Sequence, residues 1–348
     1  MHRRTSHFIV RTVSGLSVTG LIALVSACAP SQAAQKSSPG GTSGSASVVL
    51  NVGDQQQDFE TLFASSHALA GASYKVNFVE FDSGPLVDAG FAAHRIDVGT
   101  MGDLPASLAA KAHLPVVAAA VYRPIGSYMY LLAKPGITSI SQLRGKPVAY
   151  TTGTAEQAFA LRALKQAGLT QKDVHQVNVS LLQLGTVLQG GAADASVVSA
   201  EQKVNYQQAH PGAKVLATID SVQPPSYGYV LASTSALADK AKQAAIEDFI
   251  KRLIKAQNWA KSHQAQWVAD YYVNVEHQTP QVAKLILAAG GTFTYVPINA
   301  GVQGALQQMV NLMASSGAFP APYNVAPLYS TAQSARYDAV LNEVPQNG

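Results

Sequence analysis

Short apolar runs alternating with amphipathic stretches organise the chain from Ser47 onward. The run Ser47–Gly53 is rich in β-branched residues and predicts a strand, and the stretch 58–70 predicts a helix. Three more strands are predicted over 75–81, 96–99 and 116–122. Helices are expected after Asp82-Ser83-Gly84-Pro85 and over 104–112, where Pro105 falls in the first turn. Beyond the apolar run 128–133 the alternation restarts. A strand lies within 143–150, Thr151 to Thr154 open a helix that reaches Gly168, strands follow over 177–182 and 193–198, and a short helix occupies 185–190. Residues 227–232 are extended again. The pattern then turns helical over 236–263, 265–274, 280–290 and 302–316, the last closed by Gly317.

Strands that alternate with helices predict an α/β fold of mostly parallel sheets flanked by helices. The extended segments near 128–133 and 227–232 bracket the inner unit, an arrangement suited to two crossover strands acting as a hinge between two lobes. Two independent domains in series satisfy the same periodicity. In the hinged reading lobe I comprises 47–124 with 233–348, and lobe II comprises 125–232.

The first 46 residues follow a different pattern. A basic opening with Arg3, Arg4 and Arg11 precedes a weakly apolar run over 13–27, too short for a spanning helix of about 20 residues. The run ends in Val25-Ser26-Ala27-Cys28, which predicts a lipoprotein leader over 1–27 and lipidation of Cys28; Ser26-Ala27 also suits ordinary leader cleavage. Residues 28–46, rich in Ser, Gly, Gln and Thr, read as a flexible linker. The protein is therefore expected outside the cytoplasm, lipid-anchored to the outer face of the cytoplasmic membrane or in the periplasm.

Composition narrows the chemistry. With 348 residues, 47% hydrophobic and 13% charged, the chain can bury two cores of ordinary size. Three of its 24 basic residues precede Cys28, so the body is close to neutral against 20 acidic residues, and no nucleic-acid partner is expected. Cys28 is the only cysteine, so the mature chain has no other thiol for catalysis. The nine histidines form no close pair in the mature chain, and no metal or cofactor is expected. There is no Gly-x-Ser-x-Gly elbow, phosphate loop or Gly-x-Gly-x-x-Gly, and no catalytic residue is assigned.

An ordered series of segments resembles a known family. It consists of Val79-Glu-Phe81 with Gly84-Pro85, Ile96–Pro105, Leu143–Ala149, Ala163–Gly168, Gly191–Ala195, and Leu306–Met309 with Gly317–Pro320. Over roughly 47–330 this order is similar to that of the extracytoplasmic binding proteins for sulfonate, nitrate and taurine-type solutes. The resemblance implies a two-lobed type II periplasmic-binding-protein fold, a small anionic solute, an ABC permease as partner, and action as a monomer. Relatives in the alkanesulfonate group tend to carry tryptophans just after the Asp-Ala step, where this chain has Ser196 and Ser199, so the solute's identity stays open. The same architecture includes a sulfinate-cleaving enzyme and pyrimidine-forming enzymes, and the lack of a mature cysteine other than Cys28 disfavours that alternative.

Ligands of open α/β sheets bind beyond the carboxyl ends of strands, where helix N-termini offer free N–H groups to anions. Three strand exits fit: Ser83 with Gly84, Thr100-Met101-Gly102, and Thr152-Gly153-Thr154. The same Ser and Thr positions also suit helix capping. Gln55 and Gln56 add neutral amides after the first strand, Ser196 and Ser199 a polar wall, and Tyr227 an aromatic on the return crossover. Asp103 reads as a loop brace, because a carboxylate repels an anion. Arg123 is the best-placed cation for an anionic head group, but a solvated surface position is the commoner place for such an arginine.

Overall fold

The computed structural model describes residues 47–345. The leader, Cys28 and the spacer lie outside the described residues. Within them the strands are β1 (Val49–Asp54), β2 (Lys75–Glu80), β3 (Val98–Gly102), β4 (Val116–Ile125), β5 (Met129–Ala133), β6 (Pro147–Ala149), β7 (His175–Val177), β8 (Ala195–Ser199), β9 (Lys214–Thr218), β10 (Gly228–Ser233) and β11 (Thr292–Tyr295).

They form two sheets. The first has the order β11-β4-β10-β3-β1-β2 and the second β7-β6-β8-β5-β9. β1 pairs parallel with β2 and β3, and β6 pairs parallel with β7 and β8, while β10, β11 and β5 run antiparallel to their neighbours. Parallel pairing places the carboxyl ends of β1, β2 and β3 on one edge of the first sheet, and those of β6 and β8 on one edge of the second. Strands β5 and β10 are buried along their whole length, as expected of strands covered on both faces.

The crossings between the sheets are shorter than expected. β5 pairs only within the second sheet, with β8 and β9, and β10 only within the first, with β3 and β4. The chain therefore crosses in the segments 126–128 and 219–227. Gly126 has φ of +75°, a value that favours glycine. The Ser127 hydroxyl donates to Asp220, so the two crossings are tied to each other.

The long helix Lys240–Ser262 shows why the helical segments form. Asp239 caps it by accepting from the N–H groups of Ala241 and Lys242 at 2.8 and 3.1 Å. Ile246, Phe249, Ile250, Leu253 and Ile254 make one buried stripe. Phe249 meets Phe63 of helix Asp58–Ser66 with ring centroids 5.1 Å apart.

Some elements differ from expectation. Of the strand expected over 177–182, only Val177 is in β7; Ser180 starts a tight turn over Leu181–Gln183 instead. β9, β11 and the C-terminal helix Thr331–Glu343 were not anticipated. That helix seats the buried Tyr337 against β4, its hydroxyl donating to the Val121 carbonyl at 2.8 Å. Thr100 to Gly102 are the end of a strand rather than an exit loop. Among the described residues no helix is long and apolar enough to cross a membrane.

Candidate functional site

The carboxyl ends of strands from both sheets border one cavity of about 390 Å³. Gln55, Gln56 and Asp58 follow β1, Gly84 follows β2, and Gly102 ends β3 just before Pro105. Thr154, Ala155 and Glu156 follow β6, while Ser199, Ala200 and Glu201 lie at the end of β8. A further wall comes from Tyr271, Tyr272 and Glu276 in and after a π-helical turn over Val268–Val273. π-turns are rare and occur often at functional sites.

Close backbone approach builds the floor. A Cβ on Gly102 would stand 2.6 Å from the Ala155 Cβ, so a glycine at the end of β3 lets the helix Ala155–Gln166 of the second unit dock there. A Cβ on Gly84 would lie 2.5 Å from the Pro105 ring, which seats helix Gly84–Ala92 on helix Asp103–Lys111. Both glycines serve protein packing at the rim of the cavity.

Seven of the twelve solute-contact candidates line the cavity: Gln55, Gln56, Thr100, Met101, Gly102, Thr154 and Ser199. Ser83, Thr152, Gly153, Ser196 and Tyr227 do not. Ser196 is fully buried and its hydroxyl donates to the Leu184 carbonyl at 2.9 Å, because its side chain points under the sheet. The Thr152 N–H donates to the Asn178 side chain at 2.9 Å, and the Gly153 N–H to Gln157 Oε1 at 2.8 Å. These two backbone donors are thus engaged within the protein. Ser83 acts through its carbonyl, which accepts the Leu86 and Val87 N–H groups.

Engagement extends to the residues that do line the cavity. The Thr154 hydroxyl donates to the Thr151 carbonyl at 2.8 Å. The Thr100 hydroxyl lies 3.2 Å from that of Tyr122, and the Thr100 carbonyl accepts from Gln55 Nε2 at 2.8 Å. Ser199 caps helix Ala200–Ala209 by accepting from the Gln202 N–H at 3.1 Å. Gln56 and Gln57 adopt φ of 58° and 56°. That turn is held by Glu80, which accepts from both N–H groups, and by Asp54, which accepts the N–H groups of Gln55, Phe59 and Glu60 at 2.8–3.0 Å.

Asp103 does not line the cavity, as its brace reading implies. One oxygen accepts the Leu104 N–H at 2.8 Å, and the other accepts the Ser226 hydroxyl at 3.0 Å and pairs with Arg162. Arg162 and Asp103 are both buried, on helices that follow β6 and β3 respectively. Arg123 sits in β4 opposite Thr294 of β11 and does not border the cavity.

The residues that sequence reasoning missed give the cavity its character. Phe59, Tyr122, Tyr128, Tyr271, Tyr272 and Phe293 line it. Tyr122 meets Phe293 edge-on at 5.2 Å, and Tyr271 meets Tyr272 at 5.3 Å. Gly228 makes room for the Tyr122 ring, which a Cβ there would strike at 2.0 Å. Four carboxyl groups, Asp58, Glu156, Glu201 and Glu276, also line it, with no Lys, Arg or His among the described lining residues.

Burial, reinforced by the negative charges of Asp54, Glu276 and Glu80, pushes the Asp58 carboxyl up to about 7. Burial, then the charge of Glu276 and a hydrogen bond with it, pushes Glu201 up to about 7. Burial also raises Glu156, against the lowering effect of the neighbouring Thr154 side chain. Among the described residues no group of three or more His, Cys, Asp or Glu is arranged to hold a metal ion.

An aliphatic sulfonates-binding protein of Escherichia coli K12 is 25% identical over 268 residues, covering 76% of this chain and 82% of its own. The alkanesulfonate-binding protein of Xanthomonas axonopodis pv. citri, solved bound to MOPS, superposes with a TM-score of 0.72 at 21% identity, over 82% of this chain and 99% of that one. A desulfurization enzyme superposes with a TM-score of 0.57 at 12% identity, over 85% of this chain and 99% of its own. The fold is thus the type II periplasmic-binding-protein fold, shared by binding proteins and by at least one enzyme. The family model described as NMT1/THI5 like matches residues 75–266, more than half of the 348-residue chain, and the protein belongs to that family.

Proposed function

We propose that this protein is the extracytoplasmic solute-binding component of an ABC importer. One observation carries the proposal: a single cavity is bordered by strand ends of two separate sheets, joined by short crossings at 126–128 and 219–227. A solute held there contacts both sheets at once, so binding is coupled to their closure. The name of the E. coli relative supports a small organic sulfonate-like solute. The protein acts as a monomer, is held to the membrane through a lipid on Cys28, and delivers its solute to a permease. An enzymatic role on the same fold is disfavoured because Cys28, the only cysteine, is assigned to the anchor.

A thermal-shift screen of organic sulfonates, nitrate and amino acids tests the proposal. A solute at 100 times its dissociation constant is expected to stabilise the folded protein by about 2.7 kcal/mol. Consumption of a compound without any stabilisation would replace the importer reading with the enzymatic one.

A further inference from the structure

We infer that the solute presents a positively charged nitrogen to this cavity, an ammonium or quaternary ammonium group, whatever acidic group it also carries. The inference rests on the importer reading, in which the cavity is the solute site. The cavity is a site on grounds independent of its charge: its volume, and its position beyond the carboxyl ends of strands from two sheets.

Two separate observations then describe what it can hold. First, three donors of the loop after β6 are engaged within the protein, and the described lining residues offer an anion no cation. Thr152 and Gly153 give their N–H groups to Asn178 and Gln157, the Thr154 hydroxyl bonds Thr151, and no basic side chain is among the described lining residues. Second, the acceptors that suit a cation are in surplus. Asp58 opens a helix after β1, Glu201 opens another after β8, and Glu276 follows the π-turn. Glu201 and Glu276 share a hydrogen bond, and Asp58 feels the negative charge of Glu276. Gln278 fixes this wall by donating to Glu201 Oε1 at 2.7 Å and to the Glu276 carbonyl at 3.1 Å.

Like charges brought together in a partly desolvated wall repel, and a bound cation converts that repulsion into attraction. The adjacent Tyr271 and Tyr272 line the same wall, and aromatic rings attract a cationic nitrogen placed over a face. An anion without such a nitrogen would face the carboxylates with no compensating charge.

Calorimetry of the protein with a matched three-carbon series tests this: propanesulfonate, aminopropanesulfonate and propyltrimethylammonium. Aminopropanesulfonate or propyltrimethylammonium is expected to bind at least about tenfold more tightly than propanesulfonate, and E201Q and E276Q are each expected to weaken that binding roughly 10- to 100-fold, as for loss of a charge-assisted hydrogen bond. Both variants remove repulsion, and melting temperatures at or above wild type will show that they are folded. Equal or tighter binding of propanesulfonate overturns the inference and leaves the importer reading standing. So does undiminished binding of the nitrogen-bearing compounds by both variants. Failure of all three compounds to bind overturns the importer reading for such solutes, and the inference with it.

Discussion

Two charged clusters flank the cavity, and they solve burial in opposite ways. At the end of β3, Asp103 has a full set of partners: the Leu104 N–H, the Ser226 hydroxyl and the Arg162 guanidinium. At the end of β8, Glu201 meets another carboxyl group, Glu276, with Asp58 close enough to feel its charge. The first cluster matches its carboxylate to a cation, although Arg162 Nε and Nη1 are buried without partners among the described residues, and it joins helices that follow strands of different sheets. The second has acceptors in excess and borders the cavity. Buried charge matched inside the protein belongs to structure, and charge left unmatched at a cavity wall belongs to recognition.

The largest expected effect comes from unmatching the matched cluster. Arg162→Met leaves Asp103 buried without its cation and should cost about 3–5 kcal/mol in urea unfolding. Adding Asp103→Asn should recover part of that loss, because both charges are then gone. A single variant as stable as wild type would mean that Asp103 and Arg162 are not a buried pair in solution, and the contrast with Glu201 would collapse.

The unmatched cluster should reveal itself through pH. Asp58 and Glu201 rise from ordinary values of 3.8 and 4.5 to about 7 in the folded protein. Between about 4 and 7 the folded state therefore holds protons that the unfolded state has released, and stability falls as pH rises through that window. The melting temperature without solute is expected to be higher at pH 5 than at pH 8. Glu201→Gln should flatten part of this slope and raise stability at pH 8 by roughly 1 kcal/mol, less than the worth of one pKa unit. A slope unchanged in the variant would remove Glu201 from the set of groups that titrate with folding.

The contrast also explains what was legible in the sequence. Strand and helix alternation follows from local pattern, and the bracing role of Asp103 from the misfit of a carboxylate with an anion; the structure has the alternation and the buried Asp103–Arg162 pair. Whether a hydroxyl or N–H faces the cavity depends on its nearest competing acceptor, which local pattern does not specify. Ser196 was chosen as a wall residue, yet in β8 its side chain turns under the sheet to Leu184. Tyr271, Tyr272 and Glu276 went unread because a π-turn has the same apolar texture as the helix expected over 265–274. The Glu201–Glu276 contact joins residues far apart in the chain. The edge strand β11 is only Thr292–Tyr295, a short stretch between the helices expected over 280–290 and 302–316, where no element was expected.

Thr154 offers the smallest and most discriminating test, because it lines the cavity while its hydroxyl is already engaged. Sequence position alone makes that hydroxyl a donor to an anion. The structure gives it to the Thr151 carbonyl at 2.8 Å, in the turn that starts helix Ala155–Gln166, with the side chain buried. Thr154→Ala should therefore cost roughly 1 kcal/mol of folding stability, the usual worth of one internal hydrogen bond, and leave solute affinity within about twofold of wild type. The reverse outcome, intact stability with affinity reduced tenfold or more, would show that the hydroxyl turns from Thr151 to the solute on binding. The loop after β6 would then supply a donor to the solute, and the division between matched and unmatched groups around the cavity would have to be redrawn.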